Sequence, residues 1–228
     1  MSNWSYLYKI DKDSPPNLIE TNLLYTPYYS NGLLKIHFDH TSYYQNEYLS
    51  ERGIVRNYTK DLVKFFFERE VYFLNKIKDK PYAPTVVEIN KDEQYILIEF
   101  PGETVNQIVY TERSLDEELP NWKEQLSFII KDLYHSGYYK TSLYPHCFFI
   151  QDGKLKTFDF YGCAERSNPF VKISDIEGMM GPGSAERFER ATEGHLLNVE
   201  TFYKEALATF IKWPDDFLST VYREIYND

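Results

Sequence analysis

The chain has 228 residues, 43% of them hydrophobic, which suits one domain or two small lobes sharing a cleft. Its 25 Lys and Arg stand against 35 Asp and Glu, and the resulting charge of −10 excludes a broad electrostatic footprint for nucleic acid or an anionic membrane. No apolar run approaches the roughly 18 residues of a membrane-spanning helix.

Residues 1–12 carry neither the basic end nor the apolar block of a signal peptide. The two cysteines, Cys147 and Cys163, make no disulfide framework. Both features lead us to expect a reducing, cytoplasmic setting. A zinc site would want more ligands at recognisable spacing, so no metal role is expected of these thiols. Aromatic residues make up 18% of the chain, 21 of them Tyr, so the core is expected to be built from Tyr and Phe.

In chain order, the alternating runs Ser5–Ile10 and Leu33–Phe38 read as strands, with turns at Pro15-Pro16 and Asn31-Gly32. The H-F-D-H run of His37, Asp39 and His40 reads as a solvated strand end, because alternation sends His40 to the face opposite His37 and Asp39. Thr41 to Tyr58 is polar and Tyr-rich, an insertion between strand and helix. Thr59 to Lys80 is the clearest helix of this half. Thr59 can cap it, and Val63, Phe66, Phe67, Val71, Leu74 and Ile77 form its apolar stripe. Glu70 falls inside that stripe, where a carboxylate needs a partner. Pro84–Ile89 and Gln94–Phe100 read as a hairpin, and Pro101-Gly102 breaks the chain after it.

Asn121 to Glu124 reads as a capping-box start for a helix buried along Leu126, Ile129, Ile130 and Leu133 and ended by Gly137. The organising stretch runs from Leu133 to Gly162, L-Y-H-S-G-Y-Y-K-T-S-L-Y-P-H-C-F-F-I-Q-D-G-K-L-K-T-F-D-F-Y-G. It reads as a helix end, a loop, a strand, an Asp152-Gly153 turn and a second strand leading to Asp159. From Ala185 onward the chain is expected to be helical, with helices at Arg187–Ala191, Val199–Ile211 and Asp216–Tyr226 and a stop at Trp213-Pro214.

That order resembles the catalytic core of the protein-kinase-like superfamily, in which a helix end is followed by an H-x-D-L-x-P-x-N loop and then by D-F-G. Here Leu143 and Pro145 match the loop, Phe148 to Ile150 the strand after it, and Asp159, Phe160 and Gly162 the metal motif, written D-F-Y-G with Tyr161 inserted. The loop histidine falls on Lys140, the catalytic aspartate on Ser142 and the metal-binding asparagine on Cys147. Arg69-Glu70-Val71 matches the family's helix motif, and Asp175-Ile176 its later helix start. The matched region runs from Lys35 to Asp175. Asp175 follows Asp159 by 16 residues, a short spacing closest in style to aminoglycoside- or sugar-kinase-like phosphotransferases.

The resemblance implies an α+β, two-lobed kinase-like fold. Residues 1–100 would form a small antiparallel-sheet lobe with one main helix, and residues 101–228 a mostly helical lobe. It implies that Lys35 contacts phosphate and pairs with Glu70, that Glu99 and Phe100 lie against adenine, and that Asp159 holds Mg²⁺ beside ATP. It also implies a degenerate catalytic position, since Ser142 is no base near neutral pH. Three functions stay open at this point. One is a pseudokinase acting as a binding or regulatory module for a protein or small molecule, with or without nucleotide. A second is an atypical ATP-dependent phosphotransferase. The third is a structural, virion-type protein that keeps only the fold.

Overall fold

The computed structural model describes residues 25–30, 32–38, 60–111, 113–160, 162–172, 192–193, 196–208, 213 and 217–226. The first half is a four-stranded antiparallel sheet of β1 (Tyr25–Ser30), β2 (Leu33–Phe38), β3 (Val86–Asn90) and β4 (Tyr95–Glu99). The strand order is β1-β2-β4-β3. Pro27 sits on β1 at the sheet's edge, where a missing N–H is tolerated. Gly32, at φ +78°, takes the left-handed conformation needed between β1 and β2.

Alternation decides what the sheet presents. Leu34 and Ile36 of β2 stand in register with Ile98 and Ile96 of β4, and all four are buried. Lys35 and its partner Leu97 therefore project from the opposite face. Helix α1 (Lys60–Ile77) buries Phe66, Phe67, Glu70, Phe73, Leu74 and Ile77, close to the expected stripe. The other expected features of residues 1–59, including the Ser5–Ile10 strand, lie outside the described residues, apart from the β2 strand.

After β4 come α2 (Val105–Tyr110) and the single turn α3 (Leu115–Glu118), neither of which is foreseen in the sequence reading. Gln107 Oε1 accepts the Thr104 N–H at 2.8 Å, a signal visible in the Thr-x-x-Gln spacing. Helix α4 (Trp122–His135) runs as expected, but Asn121 does not cap it. The Asn121 side chain instead accepts from Gln125 Nε2 at 2.9 Å. Gly137, at φ +92°, ends the helix.

Beyond it, β5 (Tyr138–Tyr139) pairs with β8 (Ala164–Glu165). A 3₁₀ turn at Pro145–Cys147 leads into the hairpin of β6 (Phe148–Gln151) and β7 (Lys154–Thr157). Asp152 and Gly153 both have positive φ, the two-residue turn that matches strand twist.

The expectation of a purely helical end needs correction. β9 (Phe170–Lys172), β10 (Thr192–Glu193) and β11 (Leu196–Asn198) form a small antiparallel sheet. β10 and β11 form a local hairpin, and β11 pairs with β9 across more than 20 residues, so strands this short leave little periodicity to read. The helices α5 (Val199–Ala208) and α6 (Phe217–Tyr226) then close the described chain. Asp175 and the Arg187–Ala191 helix lie outside the described residues.

The fold is thus mixed α+β, with small antiparallel sheets and several helices around one buried cluster. Trp122 stacks on Trp213 at 5.5 Å, and Trp213 Nε1 donates to the Leu143 carbonyl at 2.8 Å. That pair props the loop that precedes the 3₁₀ turn. Among the described residues, no helix is long and apolar enough to cross a membrane.

Candidate functional site

The residues carrying chemistry converge on the turn that leaves β7. Thr157 ties the turn to the preceding loop, its Oγ1 donating to the Cys147 carbonyl at 3.0 Å, and the Phe158 N–H reaches the same oxygen at 3.1 Å. Asp159 then adopts φ +69°, a left-handed conformation that a non-glycine residue holds only when its surroundings enforce it.

Two buried side chains supply that enforcement. Glu70, reaching from α1, accepts the Asp159 N–H at 3.0 Å through Oε1 and the Phe160 N–H through Oε2. Lys140, from the loop after β5, donates to the carbonyls of Phe158 at 2.9 Å and Asp159 at 2.6 Å. Its ammonium also lies 4.4 Å from the Phe160 ring centroid. Glu70 and Lys140 are each 1% exposed. Four backbone groups of the turn are therefore satisfied by two buried side chains, one acidic and one basic, distant in sequence. A buried charge survives only with such partners.

The Asp159 side chain is 5% exposed. Its Oδ2 accepts from the Cys147 thiol at 3.1 Å, and Ser142 lies close enough to influence the carboxyl. Oδ1 is buried with no hydrogen-bond partner. Burial pushes the Asp159 carboxyl up to about 6, against Lys140, Cys147 and Ser142, which hold it down. Glu70 is pushed up to about 8, by burial first and then by the Asp159 charge, despite Lys140 and the two N–H donors. Burial also raises the Cys147 thiol far above its ordinary value, with Asp159 adding to the effect. His146, half-buried and stacked on Tyr144 at 5.2 Å, is brought down to about 4 by burial and then by Lys140, and stays neutral.

The structure brings together three of the six expected site residues: Glu70, Ser142 and Asp159. It does not join Lys35 to Glu70, and that expectation is corrected. Lys35 Nζ instead lies 3.8 Å from Glu93 Oε2 and 3.8 Å from the Tyr95 ring centroid, with 35% of its side chain exposed. The reason is the alternation of β2, which points Lys35 away from the buried face of Leu34 and Ile36. Lys140 is the cation that acts on Glu70. A lysine flanked by Tyr139 and Thr141 at the loop-histidine position was the available signal for it.

The residues expected against adenine have partners within the chain. The Phe100 N–H donates to the Gly32 carbonyl at 2.8 Å, Pro101 has no N–H, and the Glu99 carboxylate accepts from Gln151 Nε2 at 3.3 Å. The Phe100 ring is buried edge-on against Phe149 at 5.3 Å. Beside this point is a cavity of about 470 Å³ lined by Pro101, Gly102, Glu103, Gln107, Ile108, Glu118 and Ile150. Arg113 bridges its two carboxylates, at 2.7 Å to Glu103 and 2.7 Å to Glu118. One guanidinium against two carboxylates leaves this rim acidic, which disfavours a polyphosphate.

Mg²⁺ does not fit the donors at Asp159. That ion demands octahedral oxygen ligands and keeps several waters. The site offers one buried carboxylate beside a thiol and an imidazole. We therefore derive no step through Mg²⁺. No protein-family model matches the chain, and no curated protein sequence is significantly similar to it.

Proposed function

We propose that the chain is a two-lobed, kinase-like domain without phosphotransfer activity, working as a binding or regulatory module. Support for the ancestry comes from the order of elements and from the D-F-Y-G turn, held by a helix glutamate on one side and by the residue at the loop-histidine position on the other. The observation that carries the loss of activity is the state of Asp159. Its carboxylate is buried against Cys147 and Ser142, the two residues that replace the metal-binding asparagine and the catalytic base. Asp132, ten residues before Ser142, is held elsewhere by Lys80 at 2.9 Å and by the Tyr82 hydroxyl at 2.7 Å.

A missing general base alone removes only ~10²–10⁴-fold of rate. Lys35, turned away from Glu70, and Asp159, buried, extend the loss to phosphate positioning and charge neutralisation, which dominate phosphoryl transfer. The acidic cavity at Pro101 to Glu103 suits a small neutral or cationic ligand better than a triphosphate.

The test is ATP turnover by the full chain with Mg²⁺ or Mn²⁺, measured beside Asp159→Asn. The two proteins are expected to be indistinguishable, and restoring the family's letters with Ser142→Asp and Cys147→Asn is expected to add nothing. Turnover that Asp159→Asn abolishes overturns the reading. Raised thermal stability with ATP, in the absence of turnover, would make nucleotide one of the module's ligands.

A further inference from the structure

We propose that His146, Cys147 and Asp159 form a binding site for one borderline-soft divalent cation of the zinc class. Their ligand atoms all lie within 4.8 Å of one another. A tetrahedral ion with bonds of about 2.0–2.3 Å separates its ligands by about 3.5 Å, so closure asks for a contraction of roughly 1 Å. Two of the ligands are consecutive in the 3₁₀ turn, and Cys147 Sγ already touches Asp159 Oδ2 at 3.1 Å.

The second observation is the Asp159 carboxylate itself. It is 5% exposed, its Oδ1 has no hydrogen-bond partner, and it belongs to the same cluster. A buried carboxylate oxygen left without a donor is costly, and a bound cation satisfies it. The Cys147 thiol, donating to Oδ2, already orients the carboxylate toward the other two ligands.

The donor set selects the ion. Imidazole, thiolate and a single carboxylate suit zinc or cobalt, whereas magnesium and calcium want oxygen alone. Three protein ligands leave a fourth tetrahedral position for water or a ligand atom. Binding breaks the Cys147 S–H bond, forms a metal–sulfur bond and releases that proton to solvent. The negative charges of the Asp159 carboxylate and the Cys147 thiolate then match the two positive charges of the ion. This geometry stands whether or not the chain descends from phosphotransferases.

The experiment uses the full chain, stripped with chelator and titrated separately with Zn²⁺, Co²⁺ and Mg²⁺. One equivalent of Zn²⁺ is expected to bind, to release a proton and to raise the melting temperature, and Mg²⁺ at the same concentration is expected to do neither. Co²⁺ is expected to give a thiolate-to-cobalt charge-transfer band. Cys147→Ser should lose that band, and His146→Gln should weaken Zn²⁺ binding at least about 10-fold, the loss that even an outer partner causes. Cys163→Ala leaves the ligands in place and should keep the affinity.

An equal thermal shift with Mg²⁺, a cobalt complex without the thiolate band, or wild-type affinity in His146→Gln overturns the site. Should Cys147→Ser not fold, the wild-type cobalt spectrum and His146→Gln still decide.

Discussion

Lys140 and Lys35 carry the same charge in opposite surroundings. Lys140 is 1% exposed, bonded to two carbonyls and acting on two buried carboxylates. Lys35 lies on the open face of the sheet, 3.8 Å from a glutamate whose side chain is 66% exposed. The resemblance assigns a pairing with Glu70 to Lys35, whereas in the structure Lys140 holds the carbonyls of the same turn whose N–H groups Glu70 accepts. The turn at Asp159 is thus held without Lys35, by a helix carboxyl on one side and a loop lysine on the other.

The sharpest way to break this contrast is Lys140→Met. It leaves Glu70 and Asp159 buried without a cation and two carbonyls without a donor. Removing one partner of a buried charge cluster costs about 3–5 kcal/mol, so urea denaturation near neutral pH should show a loss of that order. A loss below about 1 kcal/mol would mean that the ammonium is not buried in solution.

The same cluster sets a pH dependence. Glu70, raised to about 8, binds its proton more tightly in the folded chain than in the unfolded one. Its contribution is therefore complete at low pH and is lost as pH rises through the folded value. Asp159 behaves alike but finishes near 6, and His146, lowered to about 4, works in the opposite sense below its unfolded value near 6.5. Between pH 6.5 and 8 Glu70 stands alone among these three, and stability should fall by on the order of 1–2 kcal/mol across that window. Glu70→Gln should flatten the slope. An unchanged slope in that variant would assign the dependence to another group.

Tyr82 gives an intermediate case. Its hydroxyl donates to Asp132 at 2.7 Å, and Lys80 pairs with the same carboxylate in a partly exposed setting. Hydrogen bonds to charged groups are worth about 1.5–3 kcal/mol. Tyr82→Phe should cost near the lower end, about 1–2 kcal/mol, because water can still reach Asp132. A cost equal to that of Lys140→Met would erase the distinction between buried and half-exposed charge.

The parts legible in the sequence were those with local signals. The Phe66–Ile77 stripe, the Asn90–Glu93 hairpin, the α4 face and the Asp152-Gly153 turn all have short-range periodicity or turn chemistry, and each appears where expected. Glu70 was legible as a buried carboxylate needing partners, but not that two of those partners would be backbone N–H groups 89 and 90 residues away. The Lys35–Glu70 pairing does not form because the alternation with Leu34 and Ile36 turns Lys35 toward Glu93 and Tyr95. The β9–β11 sheet was missed because two- and three-residue strands carry no period of their own. The grouping of His146 and Cys147 with Asp159 was not legible because only the fold brings the carboxylate to the two neighbouring side chains.

The smallest expected effect lies at Lys35. Its ion pair with Glu93 is long and exposed, and exposed pairs contribute about 0.2–1 kcal/mol. Its contact with the Tyr95 ring adds about 0.5–1 kcal/mol at such a site. Lys35→Ala should therefore cost less than about 1.5 kcal/mol, and the part due to Glu93 should fade in high salt. A double-mutant cycle between Lys35 and Glu70 is the finer instrument, because it reads their coupling without the lysine's other contacts. The geometry predicts a coupling below about 0.5 kcal/mol, as for residues without shared partners. A coupling above about 1 kcal/mol would show the lysine reaching the clamp in solution, so that both cations would serve the one glutamate.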